Sequence, residues 1–365
     1  MDPHIAHLNL STPAINQWKE MPTESRMFWS DYFELTPLED SCLRSFGQYA
    51  HTYTYCLNND DVMRVIYCAV VEILRYNNTH HMQHAFIGNS GGLDSAITCG
   101  LLSKAARLSQ ELGIDFHILA YGLPIYSNPD HNARALETSQ IFGIQHETIE
   151  DLDTLFDTFQ KTLLPLADRL AFNEEQRRRS LGNVKARIRM IINFFGTTQP
   201  GSYVVSTDNL SELYMAFWTL MGDVGAFGPI QNILKGLELP AIAYALGVPE
   251  RTIQAKPTDG LGVHQSLDHD EGGDVDAFHG VRYPDLDAII CHAVVSGLDL
   301  CVSNPVHVPA DAIHSPQATQ EVIDRLIAQM TSPASVWKRT NGSIGTAISR
   351  EQMGLPSLKK IASRL

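Results

Sequence analysis

Residues 88–95 combine glycines, hydroxyls and a carboxylate in a pattern that suits the binding of a phosphate group. The segment reads Gly-Asn-Ser-Gly-Gly-Leu-Asp-Ser, between an apolar run at 85–87 and a helical pattern that begins at Asp94. Because glycine has no side chain to keep a ligand away, the amides from about Ser90 to Ser95 can converge on an anion. Asp94 stands where phosphate-bound Mg²⁺ needs a carboxylate. This segment, called the glycine loop below, predicts a pyrophosphate site.

Three other interpretations compete for the glycine loop. A Walker A loop is excluded because no Gly-Lys-Ser/Thr ends the segment. Residues 88–92 also fit the Gly-x-Ser-x-Gly pattern of serine hydrolases, with Ser90 as the nucleophile. That short pattern often arises by chance and leaves Asp94 and Ser95 without a role. A glycine turn with a structural role only is the third possibility.

Composition and charge restrict the function further. The chain has 365 residues, 44% of them hydrophobic and 19% charged, so it can bury a sizeable core. A net charge of −14 argues against a general nucleic-acid partner, which needs a positive surface. The six cysteines form no CxxC motif, which suits a reducing, cytoplasmic location. We expect neither a signal peptide nor a membrane partner, because basic-then-apolar and long apolar stretches are missing from the sequence.

Strand and helix patterns alternate along the middle of the chain. Strands are predicted over 85–87, 116–123, 145–149 and 203–206. Helices are predicted over 61–76, 94–112, 130–142, 174–195, 285–297 and 316–330, with another from about Asn209. This alternation predicts an α/β fold with a doubly wound, mostly parallel sheet and helices on both faces. Its ligand should lie at the carboxyl ends of the strands.

Three segments depart from this alternation. Residues 1–58 are rich in proline, aromatic and acidic residues and predict an N-terminal extension, irregular or packed on the main body. The main domain is predicted over 59–340, followed by a C-terminal tail over 341–365. Within the main domain, residues 260–282 are rich in Gly, Asp and His, which favours a mobile lid loop.

Several blocks that follow the glycine loop resemble the ammonia-dependent NAD synthetases of the ATP-pyrophosphatase superfamily. The most specific are Gly-Asn-Val-Lys-Ala-Arg-Ile-Arg-Met at 182–190 and Thr-Asp-Asn-Leu-Ser-Glu at 207–212. Further blocks lie at 217–223, 229–235, 246–250, 256–261 and 280–287. The resemblance implies a Rossmann-like ATP-pyrophosphatase fold and a homodimer.

The resemblance also implies a reaction, the ATP- and Mg²⁺-dependent amidation of nicotinic acid adenine dinucleotide to NAD with ammonia. The nicotinate carboxylate attacks the α-phosphate of ATP, pyrophosphate leaves, and ammonia displaces AMP from the acyl-adenylate. Because the stretch before the glycine loop is too short for a glutaminase domain, we expect free ammonia or a separate protein as the nitrogen source. The alternative is another adenylate-forming ATP-pyrophosphatase that amidates a different carboxylate.

The resemblance implies roles for individual residues. Asp94 and Glu212 would share Mg²⁺, and Asp223 would hold ammonium or accept its proton. Lys235, predicted at a helix start, would act with Asp94 and Asp223 in catalysis. ATP would be bound by Gly88, Ser90, Gly91, Gly92, Asp94, Ser95, Thr207, Lys235 and Thr258. The dinucleotide would be bound by Asn183, Arg187, Asp223 and Lys338.

Most of these side chains also have an ordinary structural interpretation. Glu212 stands at the start of a predicted helix, where the helix dipole alone stabilises a carboxylate. Asp223 fits a turn, and Lys338 fits a solvated tail. Arg187 and Arg189 are two residues apart on one predicted helix, so at most one of them is expected to point at the site.

Three positions depart from the family pattern. Leu220 and Leu210 stand where the family usually has lysines, and residues 224–228 lack the acid that often follows Gly-Asp. The residues expected to contact ATP are intact, whereas part of the second-substrate site is altered. Loss of one lysine contact to a phosphate costs roughly 1.5–3 kcal/mol of affinity and leaves the mechanism unchanged.

Overall fold

A parallel four-stranded sheet forms the centre of the computed structural model, which describes residues 2–39, 44–258, 260–262, 273–342 and 344–365. The strands are β1 (His84–Gly88), β2 (His117–Gly122), β3 (Gln145–Thr148) and β4 (Ser202–Val204). They lie in the order β3-β2-β1-β4 and every pair is parallel. The strand order reverses between β1 and β4, so a ligand crevice is expected at the carboxyl ends of these two strands.

Two short strands extend this arrangement beyond β4. β5 (Phe227–Gly228) pairs in parallel with β6 (Thr346–Ala347), and a parallel bridge joins Val205 to Phe227. The predicted C-terminal tail therefore contributes a strand beside the main sheet. Its boundary at residue 341 stays a prediction.

The helices cover both faces of the sheet. They are α1 (Pro3–Ala6), α2 (Ala14–Glu20), α3 (Thr23–Tyr32), α4 (Asn59–His80), α5 (Leu93–Glu111), α6 (Pro129–Ile141), α7 (Leu152–Arg169), α8 (Glu174–Phe195), α9 (Leu210–Met215), α10 (Leu239–Leu246), α11 (Glu250–Ile253), α12 (Asp274–Ala277), α13 (Tyr283–Val295), α14 (Gln320–Thr331), α15 (Pro333–Asn341) and α16 (Leu358–Ala362). Single 3₁₀ turns lie at Gly47–Tyr49, Gly196–Thr198 and Ala310–Ala312. In the described ranges, no helix has the length and apolar character needed to cross a bilayer.

Successive residues of β1 point into two different hydrophobic cores, as the pleat of a strand requires. Ala85 and Ile87 belong to the larger core, which also contains the buried faces of α4 and α5. Phe86 belongs to a second core that contains Leu152 of α7 and Ile188 of α8. The predicted doubly wound sheet with helices on both faces is thus confirmed.

Most predicted helices are confirmed. Helix α7 is present in the structure, but the sequence pattern does not predict it. It carries Pro165 in its interior, a residue that normally breaks a helix, and its residues Leu155, Phe159 and Leu166 are exposed. Its apolar pattern therefore faces solvent as well as the core. The end of α5 follows the prediction, since Gly113 takes the left-handed conformation (φ 68°) directly after the C-cap residue.

The N-terminal segment packs on the main body. Trp18 and Trp29 are buried, and their rings lie 5.3 and 5.1 Å from the ring of Tyr67 on α4. Residues of this segment belong to the same larger core as the strands. The predicted division at residue 58 stays a prediction.

The predicted lid loop over 260–282 is described only in part. Residues 263–272 lie outside the described residues. The part that follows forms α12 and then a turn that leads into α13. Its role as a lid stays a prediction.

We predict that Trp29→Ala lowers the free energy of unfolding by about 3–5 kcal/mol, because a large buried ring is removed from the shared core. Urea denaturation should still show one cooperative transition, at a lower midpoint. Met27→Ala is the matched control, since Met27 is 61% exposed on the same helix. An unchanged midpoint for Trp29→Ala would show that the N-terminal segment does not support the core.

Candidate active site

A cavity of about 1000 Å³ lies at the carboxyl ends of β1 and β4. Its lining includes most of the residues that the sequence nominates: Gly88, Ser90, Gly92, Asp94, Asn183, Arg187, Thr207, Glu212, Asp223, Lys235, Thr258 and Lys338. Gly91 and Ser95 are buried beneath the surface of the glycine loop and do not line the cavity. The crevice expected from the strand order therefore gathers residues from distant parts of the chain.

The glycine loop is held from beneath by Asn89. The Asn89 Oδ1 atom accepts hydrogen bonds from the Gly91 amide at 3.1 Å and from the Ser95 hydroxyl at 3.2 Å. Its Nδ2 atom donates to the carbonyl of Ala135 on α6 at 2.8 Å. Gly91 has φ 73°, and a Cβ atom there would lie 2.1 Å from the carbonyl oxygen of His131. Only glycine fits at this position, because α6 packs directly against the loop.

The set of backbone amides available to an anion is smaller than the sequence suggests. The Gly91 amide is bound by Asn89, and the Gly92 amide donates to the Ser90 hydroxyl at 3.3 Å. The amides of Leu93 and Asp94 belong to the first turn of α5, where a helix leaves amides without internal acceptors. Anion binding here thus depends chiefly on the N-terminus of α5.

Ser90 lacks the setting of a hydrolase nucleophile. Its hydroxyl lies 3.2 Å from the Ser95 hydroxyl and accepts from the Gly92 amide. Within the described structure, no histidine side chain makes a hydrogen bond to it. A Ser90 nucleophile would need such a base.

The most concentrated charge in the cavity surrounds Lys235. The Lys235 Nζ atom lies 2.9 Å from Asp94 Oδ2, 3.1 Å from Glu212 Oε1 and 3.7 Å from Asp274 Oδ2. It also lies 4.5 Å from the centre of the Tyr283 ring. We call these three acids and Lys235 the lysine–carboxylate cluster. Lys235 lies in the turn before α10 and not at a helix start, so the predicted position is wrong although the residue does reach the site.

Asn209 links the two strand ends that carry the cluster. Its Oδ1 atom accepts from the Glu212 amide at 3.0 Å and so caps α9. Its Nδ2 atom donates to Asp94 Oδ1 at 3.2 Å. One buried side chain therefore fixes the start of α9 and the carboxylate of Asp94 together.

The turn that carries Lys235 is fixed from its buried side by Asp287. One carboxylate oxygen of Asp287 accepts from the Gly236 and Leu237 amides at 2.7 and 2.9 Å. The other accepts from the Ser211 hydroxyl at 2.5 Å, and Ser211 Oγ accepts from the Lys235 amide at 3.0 Å. Residues next to Lys235 and next to Glu212 are thus hydrogen-bonded to the same carboxylate, that of Asp287.

Burial and like charge shape the protonation of the cluster. Burial alone would lower the pKa of Lys235, but the facing carboxylates hold it well above its ordinary value, so the ammonium persists. Burial, together with the charges of Asp94 and Asp274, raises the pKa of Glu212 to about 8 despite Lys235. One cation faces three carboxyl groups, and their like charge favours the protonated form of Glu212. A second cation bound beside them would favour the ionised form of all three.

Asp223 lines the same cavity. Both of its carboxylate oxygens accept from the Thr219 amide, at 2.8 and 2.9 Å, and the Thr219 hydroxyl donates to Asn183 Oδ1 at 2.8 Å. Lys338 is nearby and donates to the carbonyl oxygens of Ala216, at 2.6 Å, and Trp218. Lys338 is therefore directed into the fold, and the solvated-tail interpretation does not hold.

Both Arg187 and Arg189 line the cavity, so the expectation that at most one of them points at the site is wrong. Arg187 Nε donates to the Leu220 carbonyl at 3.2 Å, whereas Arg189 Nε donates to the Leu123 carbonyl at 3.1 Å. The two side chains leave α8 in different directions, but both are long enough to reach the cavity.

Among the residues that sequence reasoning missed are Asp274, Tyr283 and Asp208. Asp274 and Tyr283 complete the surroundings of Lys235, and the Tyr283 hydroxyl donates to Asp274 Oδ2 at 2.7 Å. Asp274 falls in the Gly/Asp/His-rich segment, where composition alone marks no acid as special. Asp208 also lines the cavity and follows directly on Thr207, so its place in the 207–212 block was an available signal.

The donor set fits Mg²⁺ better than a transition metal. Asp94 and Glu212 contact the same ammonium from two strand ends, so one ion at that place would meet both carboxylates. Mg²⁺ typically binds through one or two carboxylates plus substrate phosphates. Over the ranges that the structure describes, no group of three or more His, Cys, Asp or Glu side chains is arranged to hold a metal ion. The phosphates would have to supply the remaining ligands.

Comparison with known proteins gives a family for this arrangement. Residues 66–324 match the family model described as NAD synthase. The NH(3)-dependent NAD(+) synthetase of Thermoplasma volcanium is 34% identical over 191 residues, which cover 52% of this chain and 71% of the relative. The corresponding enzyme of Pyrococcus furiosus is 33% identical over 205 residues, covering 56% and 72%. The resemblance seen in the sequence is confirmed.

Solved structures support the fold. NMN synthetase from Francisella tularensis aligns with a TM-score of 0.54 at 22% identity, covering 76% of this chain and 94% of that chain. A glutamine-dependent NAD(+) synthetase from Cytophaga hutchinsonii aligns with a TM-score of 0.57 at 13% identity, covering 83% and 56%. At these identities the likeness shows the fold alone.

We predict that Gly91→Ala abolishes measurable ATP binding, because the new methyl group collides with α6 and displaces the glycine loop. Gly113→Ala is the matched control: its φ is 68°, but nothing lies within 4 Å of the added Cβ atom. Backbone strain should cost each variant about 1 kcal/mol of stability, and the collision with α6 should lower the stability of Gly91→Ala further. Titration calorimetry with ATP separates them, and equal affinities would contradict the role given to the loop.

We also predict that the free energy of unfolding falls as pH rises from about 5 to about 8. Burial, with the charge of Asp223, raises the pKa of Asp208 to about 7, and burial does the same for Asp223. A carboxyl with a raised pKa stabilises the fold while it is protonated, and this stabilisation is lost as pH rises through the folded-state pKa. Asp208→Asn should make the decrease shallower in urea denaturation at several pH values. Asp31→Asn, on the exposed surface, should leave it unchanged, and identical slopes for all three proteins would refute the assignment.

Proposed function

Because this chain belongs to the NAD synthase family, we propose that it amidates nicotinic acid adenine dinucleotide with ammonia at the expense of ATP. The observation that carries this proposal is the lysine–carboxylate cluster beside the N-terminus of α5. The cluster offers a cation for departing phosphates, and the helix offers free amides. The substrate carboxylate would attack the α-phosphate, and AMP would leave when ammonia attacks the acyl-adenylate.

Lys235 would turn from carboxylates to phosphates when ATP binds. Its ammonium and the first-turn amides of α5 face the same part of the cavity and would share the charge of the leaving pyrophosphate. Such positioning and charge neutralisation supply most of the catalysis in phosphoryl and nucleotidyl transfer. Thr207 and Thr258 line the same cavity and would contact ATP.

Mg²⁺ is the proposed metal, held by Asp94 and Glu212 together with the phosphates of ATP. The ion would neutralise charge as pyrophosphate departs. Binding of the ion would also favour the ionised form of Glu212, compensate the charge of both carboxylates and thereby release Lys235. This exchange of partners accounts for a lysine that is paired with both proposed metal ligands.

Asp223 is the proposed site for ammonium. Ammonia must arrive as the neutral nucleophile, so a carboxylate that holds the ion can also accept its proton. Burial raises the pKa of Asp223 to about 7, which places its titration near neutral pH. Asn183 and Lys338 would line the path of the dinucleotide. Asn183 accepts a hydrogen bond from the hydroxyl of Thr219, the residue whose amide donates to Asp223.

We propose a homodimer, formed through the exposed apolar faces of α7 and α8. Leu155 and Phe159 are 41% and 38% exposed on α7, and Phe195 is 82% exposed at the end of α8. Apolar side chains repeated along adjoining helices are typical of a protein–protein contact. The cytoplasmic location stays a prediction.

The test is a product assay with ATP, Mg²⁺, ammonium and nicotinic acid adenine dinucleotide. We expect one AMP and one pyrophosphate for each amide formed. Glu212→Gln should lower kcat by about 100-fold, as expected when one electrostatic contact to a transition state is lost. Glu321→Gln, an exposed acid in the first turn of another helix, should retain wild-type activity.

Two results would contradict the proposal. Release of ADP would place the cleavage at the wrong phosphorus atom. Turnover with another carboxylate but not with this dinucleotide would move the assignment to the alternative substrate class. Leu220, which lines the cavity where the family usually has a lysine, is compatible with such a substrate.

A further inference from the structure

The 3₁₀ turn Gly47–Tyr49 reaches the candidate active site although it precedes the part of the chain that matches the family model, which begins at residue 66. Tyr49 is 2% exposed and lines the cavity described above. It also lines a second cavity of about 610 Å³, which shares Lys256 and Thr258 with the first. A residue of the N-terminal segment thus belongs to the wall where the two cavities adjoin.

The shape of this turn is specified by its own sequence. Gly47 has φ 56°, and a Cβ atom there would lie 3.3 Å from the side chain of Gln254. The Tyr49 amide donates to the Phe46 carbonyl at 2.9 Å, which closes the turn. Glycine therefore allows a tight turn to pack closely on the segment that follows α11.

Gln48 fastens the turn to that segment. Its Nε2 atom donates to the carbonyl oxygens of Ala255 and Gln254, the latter at 3.3 Å. The next residues along the chain, 256–258, line both cavities. The Pro257 carbonyl in turn accepts from the Asp274 amide at 3.2 Å. The backbone of residues 255–257 thus connects the hydrogen bonds of Gln48 with the one made by Asp274, an acid of the lysine–carboxylate cluster.

Tyr49 closes the wall beside the same cluster. Burial raises the pKa of its phenol, and the charges of Asp94 and Asp274 raise it further while Lys235 opposes them. The phenol is therefore neutral at every physiological pH. Its buried ring lies in the cavity wall near these charges, and a wall that excludes water would strengthen their pairing.

The residues that follow the turn share anchors with the Lys235 turn. The Tyr53 hydroxyl donates to Asp285 Oδ1 at 3.0 Å, and the Tyr55 hydroxyl donates to Glu238 Oε1 at 2.6 Å. Glu238 Oε2 accepts from the Leu234 amide at 2.9 Å, directly before Lys235. The segment is therefore bonded to the same framework that positions the ammonium.

The contacts concern the ATP side of the cavity. The second cavity is lined by Thr258, which is expected to contact ATP, by Lys256 and by Tyr283, whose ring lies 4.5 Å from Lys235 Nζ. Asn183, Arg187 and Lys338, expected at the dinucleotide, line only the first cavity. A disturbance of the turn should therefore affect one substrate more than the other.

We propose that the turn Gly47–Tyr49 is a positioning element of the ATP subsite, in which Gln48 fixes residues 254–258 and Tyr49 seals the wall beside Lys235 and Asp274. The inference rests on the proposed function for its substrate. It assigns a catalytic-site role to an N-terminal segment outside the family match. Neither residue needs to touch the reacting atoms.

The experiment compares Gln48→Ala with Gln17→Ala in the full chain. Gln17 is the matched control, because its Nε2 atom also donates to two carbonyls, those of Asn9 and Thr12, within the same N-terminal segment. We expect Gln48→Ala to raise the KM for ATP about fivefold, the equivalent of about one hydrogen bond. The KM for the dinucleotide and the thermal midpoint should stay close to wild type, and Gln17→Ala should change neither KM.

Tyr49 gives a second, independent readout. Tyr49→Ala should raise the KM for ATP and Tyr49→Phe should restore it, because the ring and not the hydroxyl seals the wall. Equal increases in both KM values, in step with a lower thermal midpoint, would overturn the proposal, since a merely structural role has that signature. Wild-type KM values in Gln48→Ala and Tyr49→Ala would overturn it as well.

A binding measurement separates this inference from the proposed function. Titration calorimetry with a non-hydrolysable ATP analogue needs no second substrate and no turnover. If wild type forms no amide but the Gln48→Ala protein still binds the analogue several-fold more weakly, the proposed function fails and the ATP subsite stands. If the analogue binds both proteins equally, the positioning role fails whatever the reaction is.

Discussion

The ion contacts of one ammonium group are the constraint on which the rest of the structure depends. Lys235 Nζ lies 2.9 Å from Asp94 and 3.1 Å from Glu212, and these acids follow the two strands at which the sheet reverses order. Removal of one partner from such a buried pair typically costs about 3–5 kcal/mol, because the other charge is left uncompensated. The sheet, the helix starts and the turn before α10 must therefore bring these groups within ion-pair distance for the fold to be stable.

The need to hold Lys235 and its partner acids together also explains the hydrogen bonds of Asn209 and Asp287. Asn209 caps α9 and also holds Asp94, so that two strand ends move as one. Asp287 receives the amides of the Lys235 turn and the hydroxyl beside Glu212. Each device places a charged group while satisfying buried backbone donors, which would otherwise destabilise the fold. An apolar core alone could not set these positions, because packing does not distinguish one carboxylate orientation from another.

Local sequence patterns predicted the parts of this arrangement that depend on local chemistry. Glycines with a following helix identified the loop, and the spacing of apolar residues gave α5 and α8. The predicted position of Lys235 was wrong because hydrogen bonds to the distant Asp287 define its turn. Helix α7 was missed because it contains Pro165 and its apolar residues do not all face the core. The role of Asp274 depends on its contact with Lys235 in another part of the chain, and the role of Tyr49 depends on segments more than a hundred residues away. No local pattern reports such contacts, whereas a family resemblance reports only residues that the family shares.

The most direct test of this account is a crystal structure with Mg²⁺ and α,β-methylene ATP. The account predicts one Mg²⁺ ion bound by Asp94 and Glu212, the β- and γ-phosphates at the N-terminus of α5, and Lys235 turned from the carboxylates to the phosphates. A structure in which Lys235 still pairs with both acids while the nucleotide phosphates lie away from the glycine loop would contradict it.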